Sequence, residues 1–139
     1  MYTDCHTLMT SNGKASQLVA GDSTYTDYYG DYNVGVGAEA RFNIITGFTQ
    51  ISEKRIIVSD HSNYCLRLID HTTRNTSEFS GLCKSCRYKG GVQAEYCGPI
   101  AVVIDLRDKN KLLVVDQYNE ALRIVNLTSR AVGTFVKSE

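Results

Sequence analysis

Two stretches of this chain repeat each other without a gap. Residues 55–81 read RIIVSDHSNYCLRLIDHTTRNTSEFSG, and residues 111–136 read KLLVVDQYNEALRIVNLTSRAVGTFV. A single constant spacing relates Asp60 to Asp116, Asn63 to Asn119, Leu66 to Leu122, Arg67 to Arg123 and Phe79 to Phe135. Because one spacing holds through two turns, we identify an internal repeat, and the fold has to be built from repeated units.

Each copy of the repeat predicts three short strands, which we label b, c and d. In the first copy they cover residues 56–59, 65–70 and 76–80, which are rich in β-branched and aliphatic side chains. Turn-forming residues separate them at 60–63 and 71–75. The spacing predicts the same three strands in the second copy.

A further strand, labelled a, precedes each copy. It covers residues 44–50 in one unit and residues 100–105, after Pro99, in the next. The sequence of 100–105 is IAVVID, a continuous apolar run that predicts burial on both faces. No segment shows a sustained helical pattern, so the fold class is all-β.

A partial unit begins the chain. Residues 5–10 and 16–21 predict strands c and d, joined by the hairpin signal Asn12-Gly13. The chain therefore starts within a repeat.

The repeat resembles the NHL repeat of β-propellers. The residues that carry this resemblance are ARFN at 40–43, IIVSDHSNYCLRLID at 56–70, EFSG at 78–81 and LLVVDQYNEALRIVN at 112–126. The last unit departs at its start, where AEYCGPI at 94–100 stands in place of ARFNIIT. The resemblance covers nearly the whole chain and implies radially arranged antiparallel blades, with strand a lining the axis and strand d outermost.

The domain organisation that follows is a single propeller segment. It has a half blade (strands c and d) over 1–21, a second blade over 22–81 with a long Tyr/Gly-rich leading loop, and a third blade over 82–139 with a Cys-containing leading loop. Two and a half blades leave apolar faces open. The expected partners are the remaining blades of a longer propeller, which the start within a blade favours, or further copies of the same chain.

Charge and hydropathy exclude several function classes. Fifteen Lys and Arg balance fifteen Asp and Glu, so the chain lacks the basic excess of a nucleic-acid binder or of a polybasic membrane-surface module. No apolar run approaches the roughly 18 residues of a membrane span. The first stretch of the chain, MYTDCHTLMTSNGKASQLVA, contains no signal-peptide core.

The cysteines predict a disulfide framework. An antiparallel c–d hairpin places Cys65 opposite Cys83, which leaves Cys86 and Cys97 to close the loop between units. Cys5 stands at the position of Cys65 in the partial unit, where the place matching Cys83 holds a serine, so we expect Cys5 to be unpaired or bonded outside this segment.

Two other cysteine chemistries compete with this framework. A zinc site from Cys83, Cys86, Cys97 and a histidine lacks a fourth ligand at motif spacing. A redox Cys-x-x-Cys motif lacks the helix that should follow it.

Two glycosylation sequons, Asn75-Thr76-Ser77 and Asn126-Leu127-Thr128, fall in or beside c–d turns. Together with the cysteines they predict a secreted, extracellular glycoprotein.

The recurring polar residues favour a structural role. The b–c turns of the two copies carry matching polar residues, Asp60 and Asn63 in the first and Asp116 and Asn119 in the second. This match favours a structural role, in which each aspartate accepts backbone N–H bonds in its b–c turn, over a role in acid–base catalysis. We expect the recurring arginines to reach over the neighbouring blade's surface. The histidines His6, His61 and His71 show no ligand spacing, and no catalytic motif or cofactor site is present.

These observations predict a non-enzymatic extracellular interaction or structural module. An alternative is a propeller that binds a carbohydrate or another small ligand through the Tyr-rich loop, whose tyrosines otherwise only cover the rim of the core: Tyr25, Tyr28, Tyr29 and Tyr32. A third hypothesis is an enzyme whose active residues lie on blades outside this chain. Other extracellular proteins or glycans are the expected binding partners.

Overall fold

The computed structural model describes residues 8–11, 16–20 and 32–139. In these ranges the chain is all-β, with three short 3-10 turns and no α-helix. None of its described helical turns has the length and apolarity that a membrane crossing requires. The strands are β1 Leu8–Ser11, β2 Ser16–Ala20, β3 Gly35–Val36, β4 Ile45–Gln50, β5 Arg55–Asp60, β6 Cys65–Asp70, β7 Asn75–Ser80, β8 Pro99–Ile104, β9 Lys111–Asp116, β10 Ala121–Asn126 and β11 Val132–Lys137.

The strands form propeller-like blades. Strands β4 to β7 make one antiparallel meander, the second blade, and β8 to β11 make another, the third blade. Strands β1 and β2 form a separate hairpin, which the sequence assigns to the half blade. The short strand β3 adds a fifth strand to the outer edge of β7. The sequence does not predict β3, because two residues carry no alternation. The predicted Asn12-Gly13 turn lies outside the described residues.

The two blades match each other in register and irregularity. Strand β6 pairs with β7 through a bulge between Leu66 and Arg67, and β10 pairs with β11 through a bulge at the same place in the repeat. Strands a and b also share a bulge, which falls just after Ile45 in one blade and just after Pro99 in the other. The spacing between these two bulges is two residues shorter than that of the repeat, because the turn between strands a and b is two residues longer in the third blade.

The divergent start of the third blade keeps the geometry of the second. Ala40 and Ala94 are both buried, and Phe42 and Tyr96 are both fully buried. The departure from the repeat pattern is therefore one of residue identity and not of position.

A shared core joins the two blades. The second blade contributes Ile57, Leu66 and Phe79, and the third blade contributes the facing aliphatic side chains, including Leu112 and Val125. On its other face the second blade has a smaller cluster: Ala40, Phe42, Ile56, Val58 and Ile69. Burial of aliphatic side chains on both faces of the second blade is the main source of its stability.

The far side of the third blade is open. Val103 is 52% exposed, Val115 39% and Phe135 51%. We call these three residues the open face. The prediction that both faces of residues 100–105 are buried is therefore wrong, because within the described chain only one side of β8 has a blade against it. Phe135 is the repeat equivalent of Phe79, which is only 6% exposed under the third blade.

The residue before strand a adopts a left-handed conformation in both blades, with φ of 65° at Ile44 and 68° at Gly98. A Cβ at Gly98 would lie 2.6 Å from ring carbons of Tyr118 and 3.1 Å from Nε2 of His61. This site therefore combines a backbone conformation that favours glycine with a close approach of two side chains.

We expect Gly98→Ala to lower the free energy of unfolding by about 2 kcal/mol or more, because backbone strain adds to the clash. Gly91→Ala is the matched control, since Gly91 has a φ of 83° and no neighbour within 4 Å of its Cβ position. Strain alone should cost about 1 kcal/mol there. Urea unfolding of both variants measures the difference, and equal losses would contradict the role of Tyr118.

Candidate functional site

A buried carboxylate at the end of strand b joins three parts of the second blade. Asp60 has no exposed surface. Its Oδ2 accepts hydrogen bonds from Asn63 Nδ2 at 2.9 Å and from Arg67 Nη1 at 3.0 Å. Its Oδ1 accepts the backbone N–H of Asn43 at 2.7 Å. One side chain thus holds the b–c turn, strand c and the start of strand a in fixed relation.

The third blade repeats this network atom for atom. Asp116 Oδ2 accepts from Asn119 Nδ2 and from Arg123 Nη1, each at 2.9 Å. Its Oδ1 accepts the backbone N–H of Cys97 at 2.7 Å. Cys97 occupies the place of Asn43, so the backbone donor is kept although the side chain differs.

The backbone bonds of these aspartates differ from the prediction. Neither Asp60 nor Asp116 uses its side chain to cap the 3-10 turn that follows it. The asparagine of the turn donates to one carboxylate oxygen, and the other oxygen accepts from a backbone N–H two residues before strand a. Because hydrogen bonds within the fold occupy both carboxylates, the arrangement is that of a structural device.

The expectation that the arginines reach over the neighbouring blade's surface is wrong. Arg67 and Arg123 have no exposed surface. Arg67 Nη2 donates to the carbonyl of Asn33 at 2.6 Å, and Arg123 Nη2 donates to the carbonyl of Lys89 at 2.8 Å. A guanidinium can be buried here because a carboxylate and carbonyls of the leading loop accept hydrogen bonds from its Nη groups, although the buried Nε of Arg67 has no acceptor among the described residues.

Burial acts against both charges of the pair. It raises the pKa of the Asp60 carboxyl, against the lowering effect of the hydrogen bonds from Asn63 and Asn43 and of the Arg67 charge. It also lowers the pKa of Arg67, against the charge of Asp60. The desolvation of a buried ion pair offsets much of its attraction. The network therefore fixes the register of the leading loop on the blade more than it adds net stability.

A tyrosine of the leading loop covers each buried arginine. The guanidinium carbon of Arg67 lies 4.7 Å from the Tyr32 ring centroid, and that of Arg123 lies 4.6 Å from the Tyr88 centroid. The Tyr32 hydroxyl also hydrogen-bonds Glu78. Tyr88 was missed by sequence reasoning, although its spacing from Tyr32 equals that of the repeat. Tyr25, Tyr28 and Tyr29 lie outside the described residues.

Two disulfides tie the loop between the blades. Cys65 pairs with Cys83 at a Cα–Cα distance of 5.0 Å, and Cys86 pairs with Cys97 at 4.3 Å. These are the pairs that the sequence predicts. The zinc and redox alternatives conflict with this structure, because Cys83, Cys86 and Cys97 are oxidised and the two cysteines of the Cys-x-x-Cys motif have different partners. Cys5 lies outside the described residues.

We expect reduction to raise the mass of the intact chain by two hydrogen atoms for each described disulfide. Replacing Cys65 and Cys83 by serine should cost about 3 kcal/mol of unfolding free energy, because the bond closes a loop of 18 residues. The Cys86 and Cys97 pair, 11 residues apart, should contribute somewhat less. An unchanged mass on reduction would show that these bonds do not form.

The chain after strand β7 is held against the start of β8 by a buried tyrosine. The Tyr96 hydroxyl and Ser80 Oγ share a hydrogen bond of 2.9 Å, and burial raises the pKa of Tyr96. A Cβ at Gly81, where φ is 90°, would lie 2.6 Å from the Tyr96 ring. Glycine is required there so that the ring can lie against the backbone.

A cleft of about 600 Å³ lies beside this contact. It is bounded by the outer strand of the second blade, the loop that leads to the third blade and the c–d turn of the third blade. Leu82 and Val92, which are 60% and 68% exposed, form apolar walls. The charged side chains that line it are Glu78, Lys89, Glu95 and Arg130. Sequence reasoning missed this cleft, because its residues come from separate parts of the chain and share no motif.

The sequon asparagines occupy different environments. Asn75 is exposed at the first position of β7. Asn126 is partly buried, and its Oδ1 accepts the backbone N–H groups of Thr128 and Ser129 at 2.9 and 2.8 Å. Asp70, the repeat equivalent of Asn126, accepts the matching N–H groups of its own turn. The Asn126 side chain therefore also shapes the c–d turn.

The described residues contain no group of three or more side chains placed to hold a metal ion. The two disulfides indicate an oxidising environment.

Comparison with known proteins gives the fold. No family model matches the sequence, and no curated protein matches it. Among solved structures, an auxiliary nutrient binding protein from Bacteroides thetaiotaomicron has a TM-score of 0.71 at 18% identity, covering 94% of this chain and 33% of its own.

A second structure, a structural genomics protein of unknown function from the same organism, has a TM-score of 0.68 at 16% identity, covering 93% of this chain and 29% of its own. The chain thus spans about one third of the length of these proteins. At such identities the likeness is one of fold alone. The chain is an all-β protein built from β-propeller-like blades.

Proposed function

We propose that this chain is a segment of an extracellular, NHL-type β-propeller that serves as a non-enzymatic binding module. The NHL resemblance of the repeat, the blade-like fold and the two disulfides support this proposal. The recurring polar side chains also support it, since the Asp60 and Asp116 networks hold the fold together and leave no paired acid and base at the surface of either turn.

The observation that carries the proposal is the cleft between the two blades. Its outer wall is the loop that contains Cys83, Cys86 and Cys97, so the disulfides hold that wall in place. A concave surface with apolar walls and a few polar groups is the usual form of a preformed binding site. A site of this kind binds with little loss of conformational entropy.

A binding screen tests this proposal. The immobilised chain is probed with secreted proteins and with glycans, and each ligand found is tested again on Leu82→Asp and Val92→Asp. The matched control is Leu106→Asp, because Leu106 is 81% exposed and lies outside the cleft. We expect the two cleft variants to lose binding and the control to keep it. A ligand that both cleft variants bind as well as the wild type would contradict the cleft as the site.

We also propose that the open face of the third blade packs against a further blade, either of a longer propeller or of another copy of the chain. The equivalent face of the second blade supports this, because Phe79 is buried there by a neighbouring blade whereas Phe135 is not. The similar solved structures are about three times longer than this chain, and this length favours a longer propeller.

A carbohydrate or another small nutrient is the second candidate ligand. One of the similar solved structures is named a nutrient binding protein, and this name favours the candidate. The test is replacement of Tyr25, Tyr28 and Tyr29 by alanine, with Tyr32 left intact because its ring covers Arg67. Binding of a glycan that survives this triple change would exclude the tyrosine loop as the platform.

Secretion and glycosylation at Asn75 and Asn126 belong to the same proposal. Deglycosylation of material from a secreting host should lower its mass, and Asn75, the more exposed asparagine, should be occupied more fully. Material without sugar at either sequon would contradict this part of the proposal.

A further inference from the structure

The carboxylates and the cations around the interblade cleft differ in their contacts. Both carboxylates already have donors. Glu78 accepts a hydrogen bond from the Tyr32 hydroxyl, and Glu95, which is 6% exposed, accepts one from Ser85 Oγ and lies 3.9 Å from Arg87 Nε. Both carboxylates are therefore engaged by hydrogen-bond donors on their own side of the cleft, although they keep their negative charges.

Within the described part of the chain, the cations of the cleft have no carboxylate partner. Lys89 and Arg130 make no ion pair with any carboxylate of the described residues. The Arg130 guanidinium lies over the Phe79 ring, with its carbon 5.1 Å from the ring centroid. That contact holds the arginine at the cleft without neutralising its charge.

The positions of these two residues have structural causes. The backbone carbonyl of Lys89 accepts from the buried Arg123, which fixes the lysine on the leading loop. Arg130 closes the c–d turn of the third blade in a left-handed conformation with φ of 60°. The equivalent Arg74 of the second blade has a φ of 61°. Both cations are thus presented by constrained backbone, which lowers the entropy lost when they bind a ligand.

Resting on the proposed function, we infer that the cleft binds an amphipathic organic carboxylate. The carboxylate group lies between Lys89 and Arg130, and the apolar carbons of the ligand lie against Leu82 and Val92. Charge-assisted hydrogen bonds to lysine and arginine recognise the carboxylate. The walls contribute through the burial of apolar surface.

A pair of probes that differ only in charge tests this inference. N-acetyl-leucine carries a carboxylate, and N-acetyl-leucinamide carries a neutral amide on the same apolar body. Each is titrated into the isotope-labelled chain while the backbone amide signals of Gly81, Leu82 and Val92 are followed by NMR. From these shifts we expect a dissociation constant for the carboxylate at least ten times lower than that for the amide. The affinity for the carboxylate should fall as salt is added.

Two variants and a control complete the design. Lys89→Gln and Arg130→Gln should each weaken carboxylate binding about 3- to 10-fold, in line with the loss of one charged hydrogen bond. Lys109→Gln, at an exposed position outside the cleft, should leave binding unchanged. Lys89→Gln separates charge from packing, because only Arg130 covers Phe79.

The outcomes distinguish this inference from the proposed function. Equal binding of acid and amide at the cleft would overturn the inference and leave the cleft as a binding site. No shift of the three signals at millimolar carboxylate would also overturn it, and the protein and glycan screen would then decide the proposed function separately.

Discussion

Asp60→Ala should lower the free energy of unfolding by about 3–5 kcal/mol, because it leaves the fully buried Arg67 guanidinium without its counter-charge. It also removes the acceptors of the Asn43 backbone N–H and of the Asn63 amide. Asp116→Ala should have an effect of the same size, since the network of the third blade has closely similar distances. Urea unfolding of both variants measures the losses.

A paired change is the control for this prediction. Replacing Asp60 by alanine and Arg67 by methionine removes both charges together, so the double variant should lose less stability than Asp60→Ala alone. A double variant that is less stable than the single one would contradict the account, because it would show the ion pair to be strongly stabilising in itself.

Phe79→Ala should cost about 3–5 kcal/mol, whereas Phe135→Ala should cost less than about 1 kcal/mol in the dilute chain. The two residues hold the same place in the repeat, but Phe79 is 6% exposed and Phe135 is 51% exposed. Chemical unfolding at low protein concentration compares them. Because residue type and repeat position are the same, the difference reports only whether a neighbouring blade covers the ring.

One result would argue against this interpretation, and another would argue against a partner blade from a second copy of the chain. Equal losses in the dilute chain would show that the repeat position and not the neighbouring blade sets the burial. If the cost of Phe135→Ala stayed small at high protein concentration, the open face would have no partner blade among copies of the chain.

The repeat made the strand layout predictable, because a constant spacing fixes turns and strands together. Predicted strand 65–70 coincides with β6, and the other predicted strands of the second and third blades differ from the observed bounds by a residue or so. The Cys65–Cys83 pairing was also predicted from the c–d hairpin, although the predicted register was wrong by about two residues. Leu66 lies opposite Ser80, where β7 ends, so Cys83 bonds Cys65 from the loop beyond the strand.

Burial was harder to predict than strand position. Alternation on strand c shows that Arg67 and Leu66 lie on opposite faces, but it does not show that a carboxylate, carbonyls and Tyr32 enclose the arginine. Likewise, the apolar run IAVVID shows a preference for burial, but it does not show whether a further blade covers Val103, which is exposed in the described residues.

The cleft and the short strand β3 could not be predicted for a different reason. The cleft is formed by residues from β7, the leading loop of the third blade and its last turn. Strand β3 pairs with β7 although three other strands lie between them in the sequence. Contacts of this kind leave no local pattern. The matching spacing of Tyr32 and Tyr88 was the signal that could have extended the repeat into the leading loops.

The most direct test of the account is the mass of the chain in solution, measured by light scattering over a range of concentrations, beside that of Phe135→Asp. If another copy of the chain covers the open face, the mass should rise with concentration above the 15.5 kDa of one chain. Phe135→Asp should keep the mass of a single chain. A wild-type protein that remains a single chain at every concentration would contradict the proposal that another copy of the chain covers this face.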